Sequence, residues 1–195
     1  SNKSGSILAR GLDVAFFDNF SDNSIRAAHP DIVRDAKVIA EMTYKELRDL
    51  SYTGFSIFHP EATAPLLGTR ITLHVRRTED YPLVGTLVVE DRISDPAHPI
   101  MGIAYKPEFC AFTIERMGLN EQEGVLYDVL GVFRQKHIPI EFTATGIDDI
   151  SVILEQKAAR NNVPELKAAL YEIAGADGAE VHFADNIGCL TVAGK

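Results

Sequence analysis

Hydrophobic positions recur along this chain at two spacings, and the change of spacing marks the change of element. Residues 6–12 read as the end of a helix stopped at Gly11. Residues 13–19, with Val14, Ala15, Phe16 and Phe17 in one run, read as a buried strand. The cluster Ser21-Asp22-Asn23-Ser24 is a turn. Tyr44, Leu47, Leu50 and Tyr52 fall at helical spacing over residues 43–52, and Thr43 with Glu46 three residues on forms a capping-box pattern. Gly54 breaks that helix. Pro60 opens a short one, Glu61–Leu67, from the position proline favours. Ile71–Val75 alternates as a half-buried strand does, and Thr86–Val89 reads as another short strand.

Asp95-Pro96-Ala97-His98-Pro99 is a polar, proline-rich connection and marks a boundary between residues 1–92 and 93–195. Beyond it the rhythm is β-α-β-β-α-β. Phe109–Glu115 reads as a strand. Glu121–Lys136 reads as an amphipathic helix with Val125, Leu126, Val129, Leu130 and Phe133 on one face. Ile140–Thr145 and Ile150–Glu155 read as strands, and Pro164–Ala174 as a helix with Leu166, Leu170 and Ile173 inward. Ala179–Phe183 and Gly188–Val192 read as closing strands turning through Ala184-Asp185-Asn186. This is the ferredoxin-like split βαβ pattern, which by itself implies no function.

Composition narrows the function classes. With 195 residues, 46% hydrophobic and 24% charged, the chain suits one or two globular domains with an adequate core. A net charge of −9 argues against nucleic acid as a partner. No run approaches the roughly 20 apolar residues of a membrane helix, and no signal peptide is visible, so neither a membrane nor export is expected. Cys110 and Cys189 sit in apolar runs and read as two buried free thiols. The six histidines show no metal-ligand spacing, and His29 and His59, each before a proline, read as turn residues. Arg76 and Arg77 read as a solvated pair at a strand end, with phosphate or interface contact as the functional alternative.

Four stretches carry a more specific signal. Ile25-Arg26-Ala27-Ala28-His29-Pro30-Asp31-Ile32-Val33 has the form of GIRAADPRIV, and Met42-Thr43-Tyr44-Lys45-Glu46-Leu47 that of ISYEEA. The run from Leu50 through Gly54 and His59-Pro60 to Ala62 has the form of ELxYxGAKVLHPxA. Val75-Arg76-Arg77-Thr78, followed by Pro82-Leu83-Val84-Gly85-Thr86-Leu87-Val88, has the form of VRNT…PGTLI. In this order the four blocks resemble the aspartokinases, which phosphorylate the side chain of aspartate. The second half resembles the ACT domain, an amino-acid-sensing module, in three places. These are Gly124–Leu130 (GxLxxVFxxLxxxxI), Thr145–Val152 (TSxxDISV) and Cys189–Lys195 (ALIxVVGxGM).

The resemblance implies an α/β chain: a partial amino-acid-kinase three-layer α/β segment over 1–92, then a ferredoxin-like βαββαβ ACT domain over 93–195. It implies a cytoplasmic enzyme that uses ATP and Mg to make 4-phospho-aspartate for lysine, threonine and methionine biosynthesis. The family's KFGGTS and GRGGSD segments are absent, and Ser1-Asn2 reads as a protease-cleavage scar. The chain is therefore expected to be a C-terminal part with no catalytic residue of its own, no bound cofactor and no activity alone. A second ACT domain that follows in the family is expected to be missing.

Nucleotide contacts would fall on Ser21, Asp22 and Arg26, in a turn two residues shorter than the family's TDVDGI. Ser56 stands where many members have a lysine, and Asp31 replaces an arginine. Effector contacts would fall on Met117, Leu119, Asn120, Gly124, Val125, Thr145, Ile147 and Asp148. The loop Met117–Gly124 leads to a helix N-terminus, whose N–H groups and dipole favour a carboxylate. Gly124 would allow close approach, and Asp148 would pair with the ammonium. The plainer reading makes Gly124 a helix-start residue and Asp148 and Asp149 turn formers. The effector would be lysine or threonine. A homodimer through the ACT sheets is expected, because unpaired sheet edges and an apolar helix face would otherwise be exposed. The alternative is a non-catalytic ACT-type binding and dimerisation module.

Overall fold

The structure, a computed structural model, describes residues 2–54, 58–80, 82, 85–175 and 178–194, with the side chain of Pro60 excepted. The expectation for Ser56 lies outside the described residues. Two compact units form: Ser1–Lys106 together with Leu190–Lys195, and Pro107–Cys189. Among the described residues no helix is long and apolar enough to cross a membrane.

The first unit holds a mixed four-stranded sheet. Its strands are β1 (Phe16–Ser21), β2 (Glu41–Thr43), β3 (Thr72–Arg77) and β4 (Thr86–Val89), in the order β1-β3-β4-β2. β1 runs parallel to β3 and β2 parallel to β4, while β3 and β4 are antiparallel. Alternation decides which side faces inward. Leu73 and Val75 of β3 and Val88 of β4 are fully buried against Leu47 and Leu50 of α2 (Tyr44–Tyr52), with Phe58 and Leu66 beside them. Each such side chain contributes about 1.5–3 kcal/mol of burial. β4 can lie this close to β3 because residue 85 is glycine: a Cβ there would stand 2.0 Å from the Val75 carbonyl oxygen.

The helices begin and end for local reasons. α1 (Asn2–Gly11) ends at the expected glycine. The capping box at α2 is complete: the Glu46 N–H donates to Thr43 Oγ1 at 3.2 Å, and the Thr43 N–H to Glu46 Oε2 at 2.7 Å. α3 (Pro60–Thr63) is shorter than expected and gives way to a 3-10 turn over Ala64–Leu66. Pro65, which has no N–H to donate, accounts for the change. The strand expected over 13–19 starts at Phe16 and is not buried. β1 is an edge strand, and Phe16 and Phe20 are 61% and 51% exposed. An apolar run has the same composition at an edge as in a core.

The second unit has the ferredoxin-like arrangement. Its sheet has the order β6-β7-β5-β8, with β6 (Phe142–Thr145), β7 (Asp149–Glu155), and the parts of β5 (Ile100–Glu115) from Pro107 on and of β8 (Glu180–Gly194) up to Cys189. β7 pairs antiparallel with both β5 and β6. Helices α4 (Val125–Gln135) and α6 (Val163–Ala174) pack against each other, and α5 (Gln156–Ala159) is a short helix the sequence reading missed. Leu166, Leu170 and Ala174 recur at helical spacing and are fully buried. The edge of Phe112 meets Phe133 with ring centroids 5.8 Å apart.

Four expectations are corrected in this half. β5 starts nine residues earlier than the expected Phe109, because Pro107 and Glu108 (φ 69°) kink the strand without ending it. The first long helix starts at Val125, not Glu121. Gly124 takes φ 77°, and Leu119–Glu121 forms a separate 3-10 turn. Its buried face is Val125, Val129, Val132 and Phe133, whereas Leu126 is 37% exposed. The two closing strands are one. Asn186 takes φ 53° and is absorbed inside β8 rather than turning the chain back.

Candidate effector-binding site

The loop after β5 is the best-built candidate. Arg116 begins it, its N–H donating to the Asp148 carbonyl at 2.8 Å. The Gly118 N–H donates to Asp148 Oδ1 at 2.7 Å, and the Asn120 N–H to the Ile147 carbonyl at 3.1 Å. Three hydrogen bonds thus bring segment 116–120 onto the turn before β7. Leu119, 1% exposed, anchors the loop in the core. Gly118 and Gly124 take φ 71° and 77°, left-handed values that cost an L side chain about 1–2 kcal/mol. A Cβ on Gly124 would meet nothing within 4 Å, so within the protein the backbone angle, not crowding, calls for glycine.

The expected effector residues therefore fall into two groups. Met117 (91% exposed) and Ile147 (71%) stand in solvent beside Asn120, Thr145 and Asp148, which are also exposed. Leu119 and Val125 are buried, and their side chains serve the core. Asp148 lends one carboxylate oxygen to the Gly118 N–H. A cleft of about 360 Å³ opens beside it, lined by Glu115, Arg116, Met117, Asp148, Asp149, Gly178 and Glu180. Sequence reasoning missed Arg116 and Gln122. The guanidinium donates to the Ala174 carbonyl and, at 2.7 Å, to Gln122 Oε1. The first contact spans 58 positions, so no local pattern announces it.

The residues expected at a nucleotide have other partners. The Ser21 and Asp22 carbonyls accept from Thr78 Oγ1 (3.4 Å) and Arg77 Nε (3.3 Å), while Arg26 Nη1 donates to the Ala36 carbonyl at 2.7 Å. Of the expected solvated pair, Arg77 stays at the surface and Arg76 does not. Arg76, with its side chain 17% exposed, lies 3.1 Å from Asp18 Oδ1, and Arg77 pairs with Glu79 and Asp80. Among the described residues no group of three or more His, Cys, Asp or Glu is placed to hold a metal ion.

His29 and His59 serve local turns. His29 Nδ1 accepts from the Asp31 N–H, and His59 caps α3 by accepting from the Glu61 N–H, each at 3.3 Å. Cys110 is a buried free thiol whose pKa burial pushes up, whereas Cys189 is only half-buried. Burial alone would raise the Glu46 carboxyl. The Arg92 guanidinium, bidentate at 2.7–3.2 Å, and the Thr43 N–H and hydroxyl outweigh it and hold Glu46 below the usual carboxylate range.

Known proteins share both sequence and fold with this chain. No family model matches it. It is 36% identical over 157 residues to aspartokinase 3 of Bacillus subtilis, covering 80% of this chain and 34% of that protein. Aspartate kinase of Clostridium acetobutylicum superposes with a TM-score of 0.89 at 26% identity, over 99% of this chain and 45% of that one. Escherichia coli aspartokinase III, solved with lysine and aspartate, superposes with a TM-score of 0.75 at 20% identity, over 100% of this chain and 43% of that one, a likeness of fold. The chain thus spans about a third of the length of the B. subtilis relative. With four motif blocks in order, a ferredoxin-like unit following them, and these likenesses, the chain belongs to the aspartokinase family, matching its relatives over part of their length.

Proposed function

We propose that this chain is the amino-acid-sensing part of an aspartate kinase, joined to the end of its catalytic domain. The observation that carries this reading is the loop Arg116–Gly124, fastened by three hydrogen bonds to the 147–148 turn on a ferredoxin-like sheet. The loop leads to the N-terminus of α4, where the first-turn N–H groups and the helix dipole favour a carboxylate. Asp148, across from it, suits the ammonium. Met117, Asn120, Thr145 and Ile147 would surround the side chain, while Leu119 and Val125 hold the loop from behind. The effector is lysine or threonine; the E. coli relative was solved with lysine, which favours the first. Residues 1–92 would be the kinase end and 93–195 the ACT domain, a division by motif that precedes the change of compact unit at 106/107.

The whole protein would transfer the γ-phosphoryl of ATP, with Mg, to the β-carboxylate of aspartate in the cytoplasm, by positioning and charge neutralisation. This chain alone would be inactive, because the family's KFGGTS and GRGGSD segments are absent from it. It would form a homodimer through its ACT sheets, since β6 at one edge is exposed along all four residues and carries no charge. Calorimetric titration with L-lysine and with L-threonine tests the reading. Saturable binding of one is expected; silence with both from a folded chain removes the sensing role. ATP turnover with aspartate by this chain would overturn its inactivity.

A further inference from the structure

We propose that Arg116 is a positioning residue for the effector loop, clipping it to the C-terminal end of α6. The proposal rests on reading that loop as an amino-acid site. The guanidinium has two acceptors on different elements: the carbonyl of Ala174, the last residue of α6, and Gln122 Oε1, which lies in the loop. The last carbonyls of a helix lack intrahelical partners and form the negative end of its dipole, so a cation is favoured there. Ala174 is fully buried, which limits competition from water. The chain turns closely past the clip: Gly175 takes φ 82°, and a Cβ on it would stand 3.1 Å from Arg116 Nη1. A guanidinium can serve both acceptors with a rigid fork, whereas an ammonium is a single point charge.

The loop needs such a fastening. Gly118 and Gly124 are its two left-handed pivots, and glycine imposes little preference of its own. The near end is held by Gly118 and Asn120 on the 147–148 turn. The far end, just before the second pivot, is held through the side chain of Gln122. Gln122 also accepts the Val125 N–H on its own carbonyl at 3.4 Å, so its position sets where α4 begins. Arg116 thereby fixes the spacing between the α4 N-terminus and Asp148, the two groups a zwitterion would bridge.

Amide hydrogen exchange on the 195-residue chain tests this, read at Gly118, Asn120 and Val125 with β7 amides as internal standard. Gln122→Ala removes the loop-side acceptor and should speed exchange of the loop amides about tenfold, the scale of one hydrogen bond to a charged group. Gln122→Glu should slow them by making an ion pair, and Arg116→Lys should fall between wild type and Gln122→Ala. The β7 amides should not move. Loop amides unchanged in both Gln122 variants, or loop and β7 amides shifting together, would overturn the clip. Calorimetry on the same proteins separates the two ideas. Weaker effector binding by about tenfold in Gln122→Ala supports positioning. Wild-type binding left unaltered by Gln122→Ala overturns it. If wild type binds neither amino acid yet the exchange pattern appears, the sensing role falls and the clip stands.

Discussion

Two segments leave the ends of strands in this chain and are fastened by different physics. The connection after β4 is held by charge: Arg92 forks onto Glu46, with side chains 10% and 8% exposed, and Glu46 is held again by Thr43. The loop after β5 is held by single hydrogen bonds, two to main-chain carbonyls and one to the Asp148 carboxylate, with the buried Leu119 and the Arg116 clip. A buried ion pair is costly to break from one side only, because the partner's charge stays behind unpaired. Single hydrogen bonds are each worth about 1 kcal/mol, somewhat more where one partner is charged, and fail one at a time. The first arrangement suits a segment that must stay put, and the second suits a segment that meets a ligand.

The contrast can be broken most sharply at Arg92. Arg92→Ala should cost the first unit about 3 kcal/mol, because it strands the Glu46 carboxylate. Denaturant melts read this directly, and a loss below about 1 kcal/mol would place the pair with ordinary surface ion pairs. Acid should act on the same pair. Glu46 has a folded pKa below its unfolded value, so its stabilisation is full above the unfolded value and is lost as pH falls through the folded one. Melting temperature recorded from neutral pH down through the carboxylate range should fall in wild type and stay flatter in Glu46→Gln. The smallest effect belongs to the second loop. Gly124→Ala should cost about 1–2 kcal/mol from its left-handed backbone, with no steric penalty. A melt unchanged by that substitution would mean the α4 start relaxes freely.

Sequence legibility followed the range of the interaction. Capping at Thr43, the helix stop at Gly11 and the succession of elements in the second half depend on neighbours a few residues apart, and they were readable. The exposure of β1 was not, because Phe16 and Phe20 look alike in a core and on an edge. Neither was the continuity of β5 and β8. Pro107 and Asn186 are turn residues in most settings, and here pairing along the strands outweighs them. At the site, the loop and its facing turn were legible from their glycines and aspartates. The Arg116 contact to Ala174 was not, since nothing near Arg116 in sequence reports a helix end 58 positions away.

The division of the chain has a consequence for the order in which it is made. The first unit draws on Leu190–Lys195, and Ala193, 5% exposed, belongs to its core cluster. Synthesis runs from the N-terminus at about 5–20 residues per second. The earlier-made unit is therefore the later one to be completed: its last core residue emerges only after the whole of Pro107–Cys189. During that interval Pro107–Cys189 is already made while the first unit still lacks a piece of its core.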